Sequence, residues 1–317
     1  MLAVLCIGFT QIKPRPSLRD GTLAFFPGST RAGAWPVYYP VENEIVTYHF
    51  PERLCDISLY DGSTVLAVAP ERGKLVLYDL ADMQSHDVCD LAGLAQQLDA
   101  LGFSPTNDRT AKEKTVPERL SCIHLWGDSV FSFVLRDAYE ERFLNVIGSY
   151  DIDRKKLEII GSTSGTGYLV QNERIIYNDS AEDRFVSVNG NDLKDREVMH
   201  DRTSLKAVSD SGVWIMATRD DLINLESGVT LRPFPLCKGE TGGFVFSKDD
   251  RYLAFYDVVD ELLHGRVIHV CIYDIEADRL YTCRANEQPY FDASIERNAS
   301  MRWLEHPLPE QKEKIAA

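Results

Sequence analysis

Residues 243–284 contain four short apolar segments, and polar turn residues follow each of the first three. The segments are rich in β-branched and aromatic residues, a pattern typical of strands joined in an antiparallel meander. They cover residues 244–247, 252–257, 267–274 and 280–283. We interpret this unit as one four-stranded blade of a β-propeller.

The first hairpin of this unit, an apolar segment, a polar turn and a strongly apolar segment, recurs along the chain. Five earlier copies begin near residues 17, 58, 124, 168 and 207. A spacing of roughly 40 residues, with one longer interval, is typical of propeller blades. The sequence therefore predicts an all-β fold, a single propeller domain over residues 1–317 with six blades of four-stranded antiparallel sheets. Residues 300–304, together with residues 1–9, are expected to complete a shared blade that closes the ring, or to add a seventh blade.

Three of the expected third strands end in a Tyr-Asp pair, in segments KLVLYDL, SYDI and IYDI. Together with the turn in FSKDDRYLAFYD, these pairs give the chain a resemblance to divergent WD40-type and TolB-like propellers. Tyr78-Asp79, Tyr150-Asp151 and Tyr273-Asp274 stand where that family has Trp-Asp, although the chain lacks both the Trp-Asp dipeptide and the family's Gly-His pair. The resemblance implies a fold and no particular function.

The long interval between the second and third blades contains a helical insertion, residues 91–118. Its leucines are spaced for one face of a helix, and Gly102 is placed to end it. These leucines are Leu91, Leu94, Leu98 and Leu101. Residues 104–119, bracketed by two prolines, are expected to form an exposed loop. Two interpretations are open: an insertion whose leucines pack on the propeller, or a lid or arm that binds a partner.

Charge and cysteine content restrict the partners and the compartment. The net charge of −15, from 49 acidic and 34 basic residues, argues against direct binding of nucleic acid and suits a basic protein partner. The seven cysteines are odd in number and lie mostly in apolar segments, which favours reduced thiols in the cytoplasm. The opening MLAVLCIGF is interpreted as a strand rather than a signal peptide, and no membrane span is expected.

Chemical motifs are scarce. The seven histidines are scattered without metal-ligand spacing, and no nucleophile elbow or phosphate-binding glycine loop occurs in the required context. We therefore predict no catalytic residue, no metal and no cofactor. The expected inner strands offer His124 and otherwise mainly apolar or small residues.

We call the four strands of a blade a, b, c and d, from the central channel outward. Each loop then emerges on one of the two faces of the propeller. Successive strands alternate in direction, so the b–c loops and the d–a connections emerge on one face and the a–b and c–d turns on the other. The b–c loops of the last four blades carry more acidic than basic residues, whereas those of the first two are net basic. The predicted partner-binding residues are Asp137, Glu140, Glu141, Asp179, Glu182, Asp183, Asp220, Asp221, Asp257, Asp260 and Glu261, with Leu94 and Leu98 of the inserted helix.

Two functions from different classes follow. The first is a non-enzymatic binding protein, monomeric before binding, such as an acidic inhibitor or immunity-type protein that neutralises a basic partner, for example a nuclease toxin. The alternative is a propeller-fold hydrolase or lyase with its site at the central channel. The first reading is favoured because the motif search finds no catalytic constellation.

Overall fold

The computed structural model describes residues 22–30, 33–103, 115–139, 144–163, 168–171, 173–180, 184–201, 205–217, 221–232, 240–261, 265–284 and 299–311. These residues form six four-stranded antiparallel sheets. Five sheets are built from consecutive strands, and the sixth combines the last described strand with the first three. The predicted six-bladed propeller is therefore confirmed.

The first blade contains β1 (Thr22–Pro27), β2 (Ala34–Tyr39) and β3 (Glu44–His49). The second contains β4 (Cys55–Leu59), β5 (Thr64–Ala69), β6 (Lys74–Asp79) and β7 (Ser85–Asp90). The third contains β8 (Leu120–Trp126), β9 (Val130–Tyr139), β10 (Leu144–Asp151) and β11 (Lys156–Thr163).

The fourth blade contains β12 (Leu169–Gln171), β13 (Arg174–Asp179), β14 (Arg184–Asn189) and β15 (Arg196–Asp201). The fifth contains β16 (Leu205–Val208), β17 (Trp214–Ala217), β18 (Leu222–Asn224) and β19 (Thr230–Leu231). The sixth contains β20 (Glu240–Phe246), β21 (Tyr252–Glu261), β22 (Gly265–Asp274) and β23 (Arg279–Arg284). The last strand is β24 (Ala299–Leu304).

Strand β24 closes the ring. It pairs antiparallel with β1, with Leu23 opposite Trp303 and Phe25 opposite Met301, and so becomes strand a of the first blade. It also contacts β20 of the sixth blade, where Trp303 Nε1 donates a hydrogen bond to the Val245 carbonyl at 3.2 Å. The expectation that residues 300–304 complete a shared blade is confirmed. Residues 1–9, expected to join them, lie outside the described residues.

The Tyr-Asp pairs have a structural role that explains their recurrence. Each tyrosine is buried, with 2% of its surface exposed at Tyr78, Tyr150 and Tyr273. Each following aspartate accepts backbone hydrogen bonds in the turn between strands c and d: Asp79 from Ala81 and Asp82, Asp151 from Arg154, and Asp274 from Ala277. The pair therefore combines a core side chain with a turn-stabilising carboxylate, a common use of aspartate.

The predicted helix is present as α1 (Ala92–Ala100). Leu94 and Leu98 are fully buried among residues of the second and third blades, while Leu101 is 56% exposed. Gly102 follows with φ of +82°, the left-handed conformation that commonly ends a helix. Gln97 attaches the helix to the third blade by donating to the Lys155 carbonyl at 2.8 Å. Of the two interpretations, the insertion packed on the propeller is the one that fits this burial.

The segment after α1 differs from the expected loop. Val116–Arg119 form a short helix, α2, because Pro117 suits a first helical turn and Thr115 forms a capping box with Glu118. Arg119 is buried, and its guanidinium donates to the carbonyls of Phe103 at 3.0 Å and Arg136 at 3.1 Å. The loop prediction is therefore wrong for residues 116–119, and residues 104–114 lie outside the described residues.

Two further features bear on the environment of the protein. Within the described ranges, neither helix has the length and apolar character needed to cross a membrane. Five cysteines fall in this part of the chain, and no disulfide joins any two of them: Cys55, Cys89, Cys122, Cys271 and Cys283.

Candidate functional site in the central channel

The inner strands are β24, β4, β8, β12, β16 and β20, and they surround the central channel of the propeller. Four of them, β4, β8, β16 and β20, contain a shift in register against strand b of their blade. Three residues in these irregular stretches have positive φ: Asp56, Cys122 and Gly243. Bulges bend a strand and change the direction of its side chains, and they are common next to functional sites.

Asp56 links the bulges of the second and third blades. Its Oδ1 accepts the backbone N–H of Cys122 and its Oδ2 that of Ile123, both at 2.8 Å. Burial raises the pKa of Asp56, and the two backbone hydrogen bonds oppose that rise. The carboxylate therefore fixes β8 against β4 at the level of the channel.

The charge of one inner-strand side chain acts on an inner-strand side chain of another blade. His124 lies on β8 and is half-buried, and Arg302 lies on β24 and is exposed. Burial is the main cause that lowers the pKa of His124 to about 4, and the positive charge of Arg302 is the second. The imidazole is therefore neutral at neutral pH, with a nitrogen lone pair available to accept a proton.

The side chain of Arg302 has protein around it and is still exposed to solvent. Surrounding protein lowers the pKa of its guanidinium, while its side chain remains exposed to solvent, as expected for a residue that projects from an inner strand into an open channel. The charge of Asp210 acts on it and raises its pKa. Among the described residues, no hydrogen bond or salt bridge reaches the Arg302 side chain.

A hydrogen-bonded chain lies beside His124. Trp126 Nε1 donates to Ser132 Oγ at 2.9 Å, and Ser132 Oγ is 2.6 Å from the hydroxyl of Tyr168. The ring of His124 meets that of Trp126 edge-on, with centroids 4.4 Å apart. Burial raises the pKa of Tyr168 well above its ordinary value, so its hydroxyl stays protonated. These contacts hold the imidazole in a fixed environment.

Cys122 is a weak candidate for a nucleophile. Burial, with a smaller contribution from the charge of Asp56, raises the pKa of its thiol to about 12. The thiolate is the reactive form of cysteine, and it is scarce at neutral pH when the pKa is this high. Within the described part of the chain, no group of three or more His, Cys, Asp or Glu side chains is arranged to hold a metal ion.

The channel mouth on the a–b face is acidic. Each a–b turn of the second to sixth blades places an exposed carboxylate there, and these residues are Asp61, Asp128, Glu173, Asp210 and Asp249. We call this group the mouth carboxylates. Lys248 and Glu305, joined by a salt bridge of 2.8 Å, lie on the same face. A polyanion approaching this face would be repelled.

The predicted partner-binding residues do not form one exposed surface. Asp179 is buried and pairs with Arg196 at 2.9 Å, and Asp257 is buried. Asp221 is hydrogen-bonded to Arg232 at 2.9 Å. The side chains of Leu94 and Leu98 face the protein's own core, away from any surface that a partner could contact.

The remaining predicted residues lie at or beyond the ends of described strands. Asp137 belongs to β9, and Asp260 and Glu261 belong to β21, near the ends from which the b–c loops emerge. Five predicted residues are outside the described ranges: Glu140, Glu141, Glu182, Asp183 and Asp220.

Sequence reasoning found His124 but missed Asp56 and Arg302. The hydrogen-bonded role of Asp56 depends on a bulge that no periodic pattern reveals. Arg302 lies in residues 300–304, which were expected to complete a blade, but their place as the inner strand of that blade is shown only by the structure. The mouth carboxylates were visible in the sequence as an acid in each a–b turn, but only the loops of the opposite face were compared for charge.

Comparisons with known proteins agree on the fold. Similar solved structures include Hsv2 from Kluyveromyces lactis, with 12% identity, a TM-score of 0.43 and coverage of 86% of this chain and 73% of that one. An oligogalacturonate lyase from Vibrio parahaemolyticus has 11% identity, a TM-score of 0.45 and coverage of 79% and 71%. A luciferin-regenerating enzyme has 10% identity, a TM-score of 0.42 and coverage of 79% and 92%. No protein-family model and no curated protein matches the sequence.

These comparisons correct one prediction. Two of the three structures are named as enzymes, so the prediction that this protein is not an enzyme is contradicted. That prediction rested on the absence of known motifs, and a propeller site assembled from single residues of several blades contains no local motif. Identities of 10 to 12% concern the fold alone and carry no argument about a particular reaction.

Proposed function

We propose that the protein is an enzyme of the hydrolase or lyase class whose reaction takes place in the central channel, with His124 as general base. The observation that supports this proposal is that His124 on β8 and Arg302 on β24 lie on two inner strands of the channel, and that the positive charge of Arg302 helps to lower the pKa of His124. A neutral imidazole beside a fixed cation can accept a proton from water or from substrate while the guanidinium stabilises developing negative charge.

The surroundings support a fixed geometry. Asp56 holds the backbone of β8 two residues before His124, and the ring of Trp126 packs edge-on against the imidazole. Catalytic groups need such positioning, since small displacements reduce rates strongly. The thiol of Cys122, protonated at neutral pH, is not assigned a role.

A substrate screen tests this proposal. Wild-type protein is incubated with esters, lactones and glycosides, and products are detected by mass spectrometry. Conversion should be lost in His124→Gln, because glutamine cannot act as a base, with a decrease of about 100-fold or more. His86→Gln is the matched control, since His86 is exposed on the outer strand β7. Equal turnover by both variants would contradict the role of His124, and the absence of any conversion would contradict the enzymatic proposal.

A second candidate function is supported by the mouth carboxylates. Five exposed acids around one channel mouth are complementary to a basic protein, as expected for an inhibitor of a basic nuclease. This candidate concerns binding alone and makes no statement about catalysis. It differs from the sequence prediction in the face used, because the predicted site lies on the b–c loops.

Matched charge reversals distinguish the two faces. Asp128→Lys with Glu173→Lys changes the a–b face, and Asp220→Lys with Asp221→Lys changes a b–c loop by the same charge. Association with a panel of basic nucleases is measured at several salt concentrations. The pair that slows association identifies the binding face, with an effect that shrinks as salt rises. Equal slowing by both pairs would indicate net charge alone, and no effect of either would contradict binding at both faces.

A further inference from the structure

We propose that Arg302 is the binding site for a small oxyanion, a carboxylate or a phosphate group carried by the substrate of the channel. This inference rests on the proposed function and specifies the class of substrate. Arg302 projects from β24 into the channel, and no hydrogen bond or salt bridge reaches its side chain among the described residues. The planar guanidinium presents five donors that match the oxygens of these anions.

The cost of placing a charge deep in a protein supports this role. A guanidinium surrounded by protein loses hydration and ordinarily has a paired carboxylate. Three other arginines of this protein have a paired carboxylate: Arg72 pairs with Glu52 at 2.7 Å, Arg174 with Asp195 at 2.9 Å and Arg251 with Asp274 at 3.2 Å. Arg302 has no such carboxylate among the described residues, and an incoming anion would supply the partner.

The mouth carboxylates set the size and charge of the ligand. Asp210 acts on Arg302 through its charge, and the other mouth carboxylates lie in neighbouring a–b turns. A polyanion would meet all of these charges, whereas a compact anion with one or two charges can bind beside Arg302 alone.

Anion binding would also change the pKa of His124, the proposed general base. The positive charge of Arg302 is one of the two causes that lower the pKa of His124, and a bound anion would neutralise it. The imidazole would then become a stronger base when substrate is present. Other ionisable groups near this site are Asp56, Cys122 and Tyr168, with Arg136 acting on Asp56 and with Lys248 and Asp250 acting on Asp210.

The test follows the His124 imidazole by NMR while sodium acetate or inorganic phosphate is added to the full-length protein at constant ionic strength. The proposal predicts saturable binding that raises the pKa of His124. Arg302→Gln should weaken binding by about tenfold or more, since hydrogen bonds to charged groups contribute roughly 1.5–3 kcal/mol. Arg302→Lys retains the charge and should preserve much of the binding. Arg154→Gln, which removes an exposed arginine on a c–d turn, should bind as wild type does.

Each outcome of this titration either supports the inference or overturns it. Binding of acetate alone assigns a carboxylate, binding of phosphate alone assigns a phosphate group, and binding of both assigns an oxyanion of either kind. No saturable shift of the His124 signals with either probe overturns the inference, as does equal binding by Arg302→Gln and wild type. Should Arg302→Gln fail to fold, the wild-type titration and Arg302→Lys still decide. Failure of the proposed function is separate, because it would appear as absent turnover in the substrate screen while anion binding persists.

Discussion

The carboxylate of Asp56 accepts the backbone N–H of Cys122 at 2.8 Å, across the boundary between the second and third blades. Asp61 makes a similar pair of bonds with the backbone N–H groups of Ser63 and Thr64, both at 2.7 Å, but in an exposed turn. Water can replace a carboxylate at the surface and has less access at the half-buried Asp56.

Asp56→Ala should therefore destabilise the protein much more than Asp61→Ala. Two half-buried donors left without an acceptor should cost about 1 kcal/mol or more each, whereas the exposed turn should lose less than about 1 kcal/mol in total. Urea unfolding of both variants checks this expectation. Equal losses would show that Asp56 is not shielded from solvent in the way described.

The inserted helix offers a second matched pair. Leu98→Ala should reduce the free energy of unfolding by about 2–5 kcal/mol, because Leu98 is fully buried. Leu101→Ala, one turn away and 56% exposed, should change it by less than about 0.5 kcal/mol. Thermal or urea unfolding distinguishes them, and a neutral Leu98→Ala would mean that α1 is not packed on the propeller.

Ring closure depends in part on Trp303. Trp303→Phe removes the hydrogen bond to the Val245 carbonyl between β24 and β20 and keeps an aromatic ring against Tyr252. The expected loss is about 0.5–1.5 kcal/mol in free energy of unfolding. Accelerated amide hydrogen exchange in β24 and β20 should accompany it. Unchanged exchange in both strands would count against closure through this contact.

His124 makes stability dependent on pH. Its pKa is about 4 in the folded protein and about 6.5 in an unfolded chain. Between these values the unfolded state binds a proton that the folded state does not, so this contribution is complete above pH 6.5 and is lost as the pH falls toward 4. The unfolding free energy of wild type should fall more steeply over this window than that of His124→Gln. Parallel curves would contradict the depressed pKa.

The sequence predicted the architecture well because each blade repeats the same local signals. The four segments of residues 244–283 became β20 to β23, and the leucine spacing of residues 91–101 became α1. The short helix α2 was missed because a proline was taken only as a loop signal, although it is also common in a first helical turn.

The candidate site was harder to predict because it depends on tertiary geometry. His124, Arg302 and Asp56 are far apart in sequence, and their strands come together only because they surround one channel. The net charge of a loop predicts a binding surface only when its acids are exposed, and Asp179 is instead buried against Arg196. Whether an acid is paired in a salt bridge can be decided only when its basic neighbours in space are known.

The pKa of His124, measured by NMR titration in wild type and in Arg302→Gln, tests most directly that these two residues form one site in the channel. We expect a pKa near 4 in wild type, a higher pKa in Arg302→Gln that remains below 6.5 because burial persists, and no change in the Arg154→Gln control. A value near 6.5 in wild type, or the same value with and without the Arg302 guanidinium, would contradict it.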